Sequence, residues 1–119
     1  MTEFPLKFGL CLPIFAQPGG MLFRTPNLET LNAHVALATG QLADELGYDS
    51  LWVADHLMLG KDQAILEGWT VLSSLASTTK TAALGIIHQA HFFRHPSVSA
   101  KMIATIDQIS EGRFIYFVD

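Results

Sequence analysis

The segment LWVADH, from Leu51 to His56, decides the fold because a short apolar and aromatic run ends abruptly in an acid and an imidazole. An amphipathic helix closed by Gly47 precedes it, so the order is helix, turn, buried strand, then polar residues. In open α/β sheets and in (β/α)8 barrels, ligands bind at the carboxyl ends of the strands. Asp55 and His56 are therefore candidate site residues. The alternative is that they only begin a solvated loop, with Asp55 capping the next segment of the chain.

The same layout recurs along the chain. Strands are predicted at about residues 7–12, 50–54, 83–87 and 113–118, and helices at about 27–46, 67–78 and 97–110. This alternation demands parallel strands joined by right-handed crossovers. An open flavodoxin-like sheet is one alternative, but no glycine-rich phosphate motif follows any strand. Because a (β/α)8 barrel takes about 250 residues, this single domain of 119 residues is predicted to form the N-terminal half of one.

Apolar residues at helical spacing predict the buried face of each helix. The first helix, capped by Thr25 or Asn27, would bury the stripe Leu31, Val35, Ala38, Leu42 and Leu46. The second would bury Trp69, Leu72, Leu75 and Ala76, and the third Val98, Met102, Ile106 and Ile109. The long connection from Ile14 to Pro26 is interpreted as a flap, or as a functional loop after the first strand.

Composition narrows the class of protein. Hydrophobic residues make up 50% of the chain and mean hydropathy is +0.32, yet no apolar run approaches the roughly 18 residues of a membrane span. The net charge of −4, without a Lys/Arg cluster, argues against nucleic acids and anionic membranes as partners. The N-terminus shows no export signal, and a single cysteine, Cys11, permits neither a disulfide nor a CxxC metal site. We therefore expect a cytoplasmic protein without a metal.

The densest polar and aromatic cluster follows the third predicted strand, in the segment HQAHFFRHP from His88 to Pro96. Its position at a strand carboxyl end makes His88, Gln89, His91 and Arg94 candidate ligand-binding residues. For Arg94 the alternative is a loop-to-helix junction, in which Arg94 pairs with a neighbouring carboxylate and His95-Pro96 begins the helix.

Four segments carry a family resemblance. They are ADELGYDSLWVADH (43–56), LEGWTVLSSLAS (66–77), LGII (84–87) and RHPSVSAKMIATIDQISEGRF (94–114). In this order and spacing they resemble the N-terminal part of the luciferase-like monooxygenases, flavin-dependent (β/α)8-barrel enzymes that include coenzyme F420-dependent oxidoreductases. The resemblance implies an oxidoreductase that binds FMN, or alternatively coenzyme F420, and acts on a small organic substrate.

The resemblance also implies roles for single residues. It makes His56 a catalytic base or proton donor near the flavin, with Asp55 at the family's acidic position, and an imidazole can take and return a proton near neutral pH. It places a non-proline cis peptide bond between Ile87 and His88, against the flavin ring. Ile87, His88, Gln89, His91 and Arg94 are then the candidate cofactor-binding residues.

A hypothesis of another class is a non-catalytic half barrel. The fourth strand would expose an unpaired apolar edge, on which Phe114, Tyr116 and Val118 alternate with Ile115 and Phe117. Such an edge invites association. The chain would then form a homo-oligomer or close a barrel with a second half, and it would be inactive alone.

Overall fold

The structure, a computed structural model, describes residues 6–16 and 30–117. Within these residues four strands alternate with three helices: β1 (Gly9–Cys11), α1 (Ala33–Glu45), β2 (Ser50–Val53), α2 (Gly68–Thr78), β3 (Ala83–Ile86), α3 (Pro96–Ile109) and β4 (Phe114–Ile115). Short 3-10 turns, Lys61–Gln63 and His91–Phe93, lie in the loops after β2 and β3. In this described part of the chain, no helix has the length and apolar character needed to cross a membrane.

The strands form one parallel sheet in the order β1-β2-β3-β4. Because every right-handed crossover advances the sheet in the same direction, the three helices lie on the same face. A flavodoxin-like sheet reverses direction after its first strand. The sequential order therefore argues against the open-sheet alternative and is the order of consecutive strands in a (β/α)8 barrel.

The sheet has a helix-covered outer face and an inner face that no described helix covers. The strand register aligns one outer row of side chains, Leu10, Leu51, Leu84 and Phe114. The corresponding inner row is Cys11, Trp52, Gly85 and Ile115. Leu51 and Leu84 are fully buried beneath the helices, whereas Cys11 and Ile115 are exposed.

Helix α1 buries a different face from the one that its apolar stripe predicts. Val35, Leu42 and Leu46 are 40, 54 and 70% exposed, and the buried residues are Ala36, Gly40 and Ala43. The face of small residues is preferred because it lets α1 approach α2 closely. A Cβ built on Gly40 would lie 2.8 Å from Cδ2 of Leu75, so the prediction of the larger stripe is wrong.

Helix α1 also begins later than the predicted residue 27. The Asn32 side chain accepts hydrogen bonds from the backbone N–H groups of His34 and Val35 at 3.0 and 3.2 Å, which caps a helix starting at Ala33. The predicted caps Thr25 and Asn27 lie outside the described residues. Strand β4 was predicted at 113–118, of which residues 113–117 are described, and among these only Phe114 and Ile115 pair with β3. The other bounds agree with prediction to within two residues.

The buried faces of the other two helices agree more closely with the prediction. On α2, the residues Trp69, Leu72, Leu75 and Ala76 are all buried, which confirms the prediction. On α3, Ile106 is buried and Met102 packs against the core. Val98 and Ile109, however, are 50 and 46% exposed, so only the middle of the predicted α3 stripe is covered.

Two charged side chains fasten the loop between α2 and β3, at the amino end of the sheet. Asp44 of α1 accepts three backbone hydrogen bonds and one hydroxyl hydrogen bond from residues 80–82, at 2.6 to 2.9 Å. Arg113 donates five hydrogen bonds, four of them to main-chain carbonyl groups at the end of α2, at the end of α3 and directly before β3. The helix ends are thereby tied to the sheet by charge-assisted bonds.

Candidate active site

A cavity of about 210 Å³ lies at the carboxyl ends of β1, β2 and β3. Four of its lining residues have a polar group in the side chain: Cys11, Trp52, His56 and His88. The remaining wall is apolar and consists of Leu12, Phe15, Val53, Ala54, Leu59 and Ile87. A mostly apolar cavity with a few polar residues thus lies at the edge of the sheet where barrel enzymes hold their ligands.

Three larger depressions lack the groups of an active site, and one of them, of about 340 Å³ and lined by residues such as Asp44 and Thr78, contains no imidazole. A second, of about 510 Å³, runs along α3 between Ser97 and Ile109 and is mostly apolar. The third, of about 590 Å³, lies around Tyr48 and Asp49 at the amino ends of the strands. None of the three is lined by an imidazole, and the amino ends of barrel strands serve stability rather than catalysis. The smaller cavity is therefore the better candidate.

The two histidines of the cavity follow neighbouring strands. β2 ends at Val53, and three residues later His56 is exposed at the cavity rim. β3 ends at Ile86, and the peptide bond between Ile87 and His88 is cis, as the family resemblance implies. The His88 ring lies 6.0 Å from the ring of Phe117. Parallel pairing of β2 with β3 is what brings His56 and His88 to one site.

One side of the cavity is built by the loops after β1 and β2, which are hydrogen-bonded to each other. Phe15 and Ile65 form an antiparallel bridge. The Leu66 N–H donates to the Ile14 carbonyl at 2.7 Å, and the Lys61 N–H donates to the Ala16 carbonyl at 2.8 Å. This pairing holds the aromatic ring of Phe15 in the wall beside residues of the second loop.

Asp55 lies behind the cavity rather than on its wall. Its side chain is 2% exposed and forms a bidentate ion pair with Arg94, with hydrogen bonds of 2.7 and 2.8 Å. The backbone N–H of Ala90 donates a third bond of 3.0 Å to the same carboxylate. Asp55 therefore joins the end of β2 to the loop after β3, directly before His56 in the chain.

Arg94 also contacts the start of α2. It forms a second ion pair, with a hydrogen bond of 2.9 Å to Glu67, and its guanidinium carbon lies 5.4 Å from the centroid of the Trp69 ring. Burial disfavours the charged guanidinium, but the hydrogen bonds and charge of Asp55, with the charge of Glu67, outweigh it and raise the pKa of Arg94. These contacts match the junction interpretation, including a helix that begins at Pro96 with His95 as its cap.

Glu67 belongs to the same network and caps α2. Its carboxylate accepts hydrogen bonds from the backbone N–H groups of Trp69 and Thr70 and from the Thr70 hydroxyl, at 2.7 to 3.3 Å. Burial alone would raise the pKa of Glu67, but these bonds and the charge of Arg94 lower it below the ordinary value. Glu67 and Arg94 are therefore both charged at neutral pH.

The structure divides the predicted site residues into two groups. His56, Ile87 and His88 line the cavity. Asp55 and Arg94 are paired with each other and do not line it, and neither does the buried Gln89. The exposed His91 contacts Phe92, with ring centroids 3.8 Å apart and ring planes tilted by 41°. Among the described residues, no three His, Cys, Asp or Glu side chains form a group that could hold a metal ion. The functional roles of these residues stay predictions.

Sequence reasoning missed Trp52 and Phe15 as cavity residues. The signal for Trp52 was present, because residues two apart on a strand share a face and Leu51 and Val53 are the buried, helix-facing pair. Trp52 must then point to the inner face. Phe15 gave no such signal, since a loop pairing that is not local in sequence places it.

Comparison with known proteins identifies the family. Residues 6–118 match the sequence profile of the luciferase-like monooxygenases. The chain belongs to the luciferase-like monooxygenase family. Among curated luciferase-like relatives, an F420-dependent glucose-6-phosphate dehydrogenase from Amycolatopsis mediterranei (strain U-32) is 33% identical over 76 residues, which are 61% of this chain and 23% of the relative.

Solved structures of the family share the fold. The FMN-bound oxygenating constituent of 3,6-diketocamphane monooxygenase from the CAM plasmid of Pseudomonas putida superposes with a TM-score of 0.73, at 22% identity over 95% of this chain and 29% of that one. Coenzyme F420 dependent tetrahydromethanopterin reductase from Methanopyrus kandleri gives 0.68, at 25% identity over 94% and 26%. The chain is therefore part of a luciferase-like (β/α)8 barrel and spans about a quarter to a third of these relatives' length.

Proposed function

We propose that the cavity takes the ring system of FMN in a luciferase-like oxidoreductase that acts on a small organic substrate, with His56 as the acid/base group. One observation carries the proposal: His56 and His88 both line a mostly apolar cavity at the carboxyl ends of β2 and β3. An isoalloxazine ring has flat apolar faces and a polar edge. Apolar walls with a few convergent polar groups are what such a ring requires.

The size and charge of the cavity suit a ring rather than a whole cofactor. Its volume of about 210 Å³ is below the roughly 300–1,000 Å³ of ligand pockets in general. No Lys or Arg of the described residues lines it. The phosphate end of the cofactor would be bound by other parts of a complete barrel, where phosphate sites commonly follow strands seven and eight.

Each part of the site has a task in this proposal. Bound FMN supplies the oxidation–reduction chemistry. His56, at the exposed rim, holds a proton at a ring nitrogen and exchanges it with the substrate or solvent. Leu12, Phe15 and Leu59 keep water from the apolar side of the cavity. The Asp55–Arg94 ion pair fixes the end of β2 and thereby the position of His56.

Coenzyme F420 is the second candidate cofactor. The curated relative that is 33% identical is named as F420-dependent, and so is the structure that is 25% identical. The F420 ring is a flavin analogue with the same tricyclic outline, so the cavity geometry supports both cofactors equally. A direct comparison of the two in one assay decides between them.

The first prediction concerns cofactor binding by the purified chain. Titration with FMN, and separately with F420, is expected to give saturable binding followed by cofactor fluorescence. His56→Ala is expected to weaken binding between about twofold and tenfold, since it removes one hydrogen-bonding group from the cavity rim. His34→Ala, which changes an exposed histidine on α1, is the matched control and leaves the affinity unchanged. Absence of saturable binding of both cofactors would contradict the proposal.

The half-barrel hypothesis is a second candidate function of another class, supported by the exposed edge of the sheet. Ile115 of β4 and the two residues after it, Tyr116 and Phe117, are 36, 50 and 44% exposed, and no described strand pairs with the free edge of β4. Unpaired apolar edges associate. In this proposal the chain pairs with a second copy or a partner half, and catalysis needs that partner.

The second prediction is therefore self-association of the isolated chain. Sedimentation over a concentration series is expected to show dimers or larger species, and Ile115→Lys is expected to shift them towards monomer because a charge on an edge strand opposes pairing. Phe92→Lys is a matched control, because Phe92 is 82% exposed but lies in the turn after β3. A monomer at every concentration would count against the half-barrel hypothesis.

A further inference from the structure

Trp52 lies on the inner face of the sheet at the base of the cavity. Its Nε1 donates a hydrogen bond of 2.9 Å to Oγ of Ser50, and its side chain lines the cavity. In the strand register, Trp52 stands between Cys11 of β1 and Gly85 of β3. The indole therefore spreads across three strands, on the side that no described helix covers.

Two glycines make room for this indole. A Cβ built on Gly85 would overlap the six-membered ring of Trp52, with Cη2 at 2.8 Å, and a Cβ built on Gly9 would lie 2.9 Å from Nε1. Both separations are shorter than side-chain carbons tolerate. Any side chain at either position would lift the indole away from the backbone. Because Gly9 and Gly85 lack side chains, the Trp52 indole lies close to the backbone on the inner face of the sheet, and we call this position its seat.

We propose that Trp52 is a positioning residue whose indole forms the floor of the cavity and sets how deeply the cofactor ring enters. This inference rests on the function proposed above and adds to it a residue outside the acid/base chemistry. The seating on Gly85 makes the inference testable, because a methyl group at position 85 pushes the indole into the cavity. It does so without altering a side chain of the cavity wall.

The first experiment compares cofactor binding in Gly85→Ala, Trp52→Leu and the double variant of the full chain. Gly85→Ala is expected to weaken binding of FMN, or of F420, at least about tenfold, because overpacking displaces the indole. The double variant is expected to recover the affinity of Trp52→Leu, since it has no indole to displace. Unchanged affinity in Gly85→Ala overturns the proposal, as does a folded double variant that binds clearly more weakly than Trp52→Leu.

Bound-cofactor fluorescence gives a second readout that a purely structural role would not move. An indole in contact with a flavin quenches its emission, so the bound cofactor is expected to be brighter in Trp52→Leu than in the wild type. Trp69→Phe is the matched control, since Trp69 is the other of the two tryptophans and does not line the cavity. Equal brightness in Trp52→Leu and the wild type contradicts the role of Trp52 as the floor.

A third measurement separates this inference from the proposed function. In a Trp69→Phe background Trp52 is the single tryptophan, and acrylamide quenching of its emission reports its accessibility without any cofactor. Gly85→Ala is expected to increase that quenching, because the indole leaves its seat. If the chain binds neither cofactor, the proposed function fails. If quenching is unchanged, the seating of Trp52 fails, whatever the chain binds.

Discussion

Replacement of Asp55 by asparagine is expected to lower the free energy of unfolding of the chain by about 3 to 5 kcal/mol. The carboxylate is 2% exposed and accepts three hydrogen bonds, two of them from Arg94. Asparagine keeps the shape but removes the charge and turns an amide NH2 towards a donor. The guanidinium then stays partly buried without its main partner, which is the costly state of a broken ion pair.

The matched control for Asp55→Asn is Glu67→Gln. Glu67 binds the same guanidinium, but its side chain is 44% exposed. Water already weakens this ion pair, so the expected cost of removing the Glu67 charge is about 1 kcal/mol or less. Denaturant unfolding at one fixed protein concentration measures both changes. Equal costs for the two variants would show that burial does not decide the strength of these pairs.

A double variant isolates the pairing itself. Asp55→Asn combined with Arg94→Met removes both buried charges, and its cost is expected to be smaller than the sum of the two single costs by about 1 to 3 kcal/mol. Additive costs would mean that the ion pair contributes nothing beyond its separate side chains. The same variants bear on function. If Asp55 acts only by positioning His56, the loss of activity in each variant is expected to follow its loss of stability.

The sequential parallel sheet was predictable because its signals are local. Each strand is a short apolar run closed by Gly, Pro or polar residues, and each is separated from the next by a periodic helical segment. Right-handed crossovers leave few ways to connect such units. The resemblance then selected the barrel, and the shared fold of the solved structures supports that choice.

The buried face of α1 was not predictable from periodicity alone. Apolar residues occur on more than one side of this helix, so the larger stripe, with Leu42 and Leu46, outweighed the smaller one, with Gly40. Which face is buried depends on how closely α2 approaches, and that distance is set by Leu75, some thirty-five residues away. Tertiary contact overrides the local pattern here.

The position of the candidate site was predictable, but which of its residues line the cavity was not. The strand ends pointed to Asp55, His56 and His88 together, because all three follow parallel strands. Whether a side chain enters the cavity or turns behind it depends on the partner it meets. Arg94, which lies thirty-nine positions after Asp55, draws the acid away from the cavity while the adjacent His56 stays at its rim.

The second large effect is expected at the opposite end of the sheet, where Asp44→Ala is expected to lower the free energy of unfolding by about 3 kcal/mol at pH 7. The Asp44 carboxylate accepts hydrogen bonds from the backbone N–H groups of Lys80, Thr81 and Ala82 and from the Thr81 hydroxyl. Alanine leaves the turn before β3 without these partners. Thermal or denaturant unfolding at neutral pH measures the loss.

The pH dependence of this effect identifies the charge as its cause. Burial would raise the pKa of Asp44, but the backbone N–H groups of Ala82, Lys80 and Thr81 and the Thr81 hydroxyl outweigh it and lower the pKa from 3.8 to about 2. Because the unfolded chain binds this proton first as the pH falls, the contribution of Asp44 is complete above the unfolded pKa of 3.8. It is lost as the pH falls towards about 2.

Asp44→Asn is the variant that tests this charge, because it keeps the size of the side chain. The stability difference between the wild type and Asp44→Asn is expected to be constant from pH 7 to about pH 5 and to shrink steadily below about pH 4. Asp107→Asn, at an exposed position on α3, is the matched control and leaves the acid limb of the wild type unchanged. If the stability difference stays constant down to the lowest pH, it arises from the shape of the side chain. The charge of Asp44 would then have no part in holding α1 to the turn before β3.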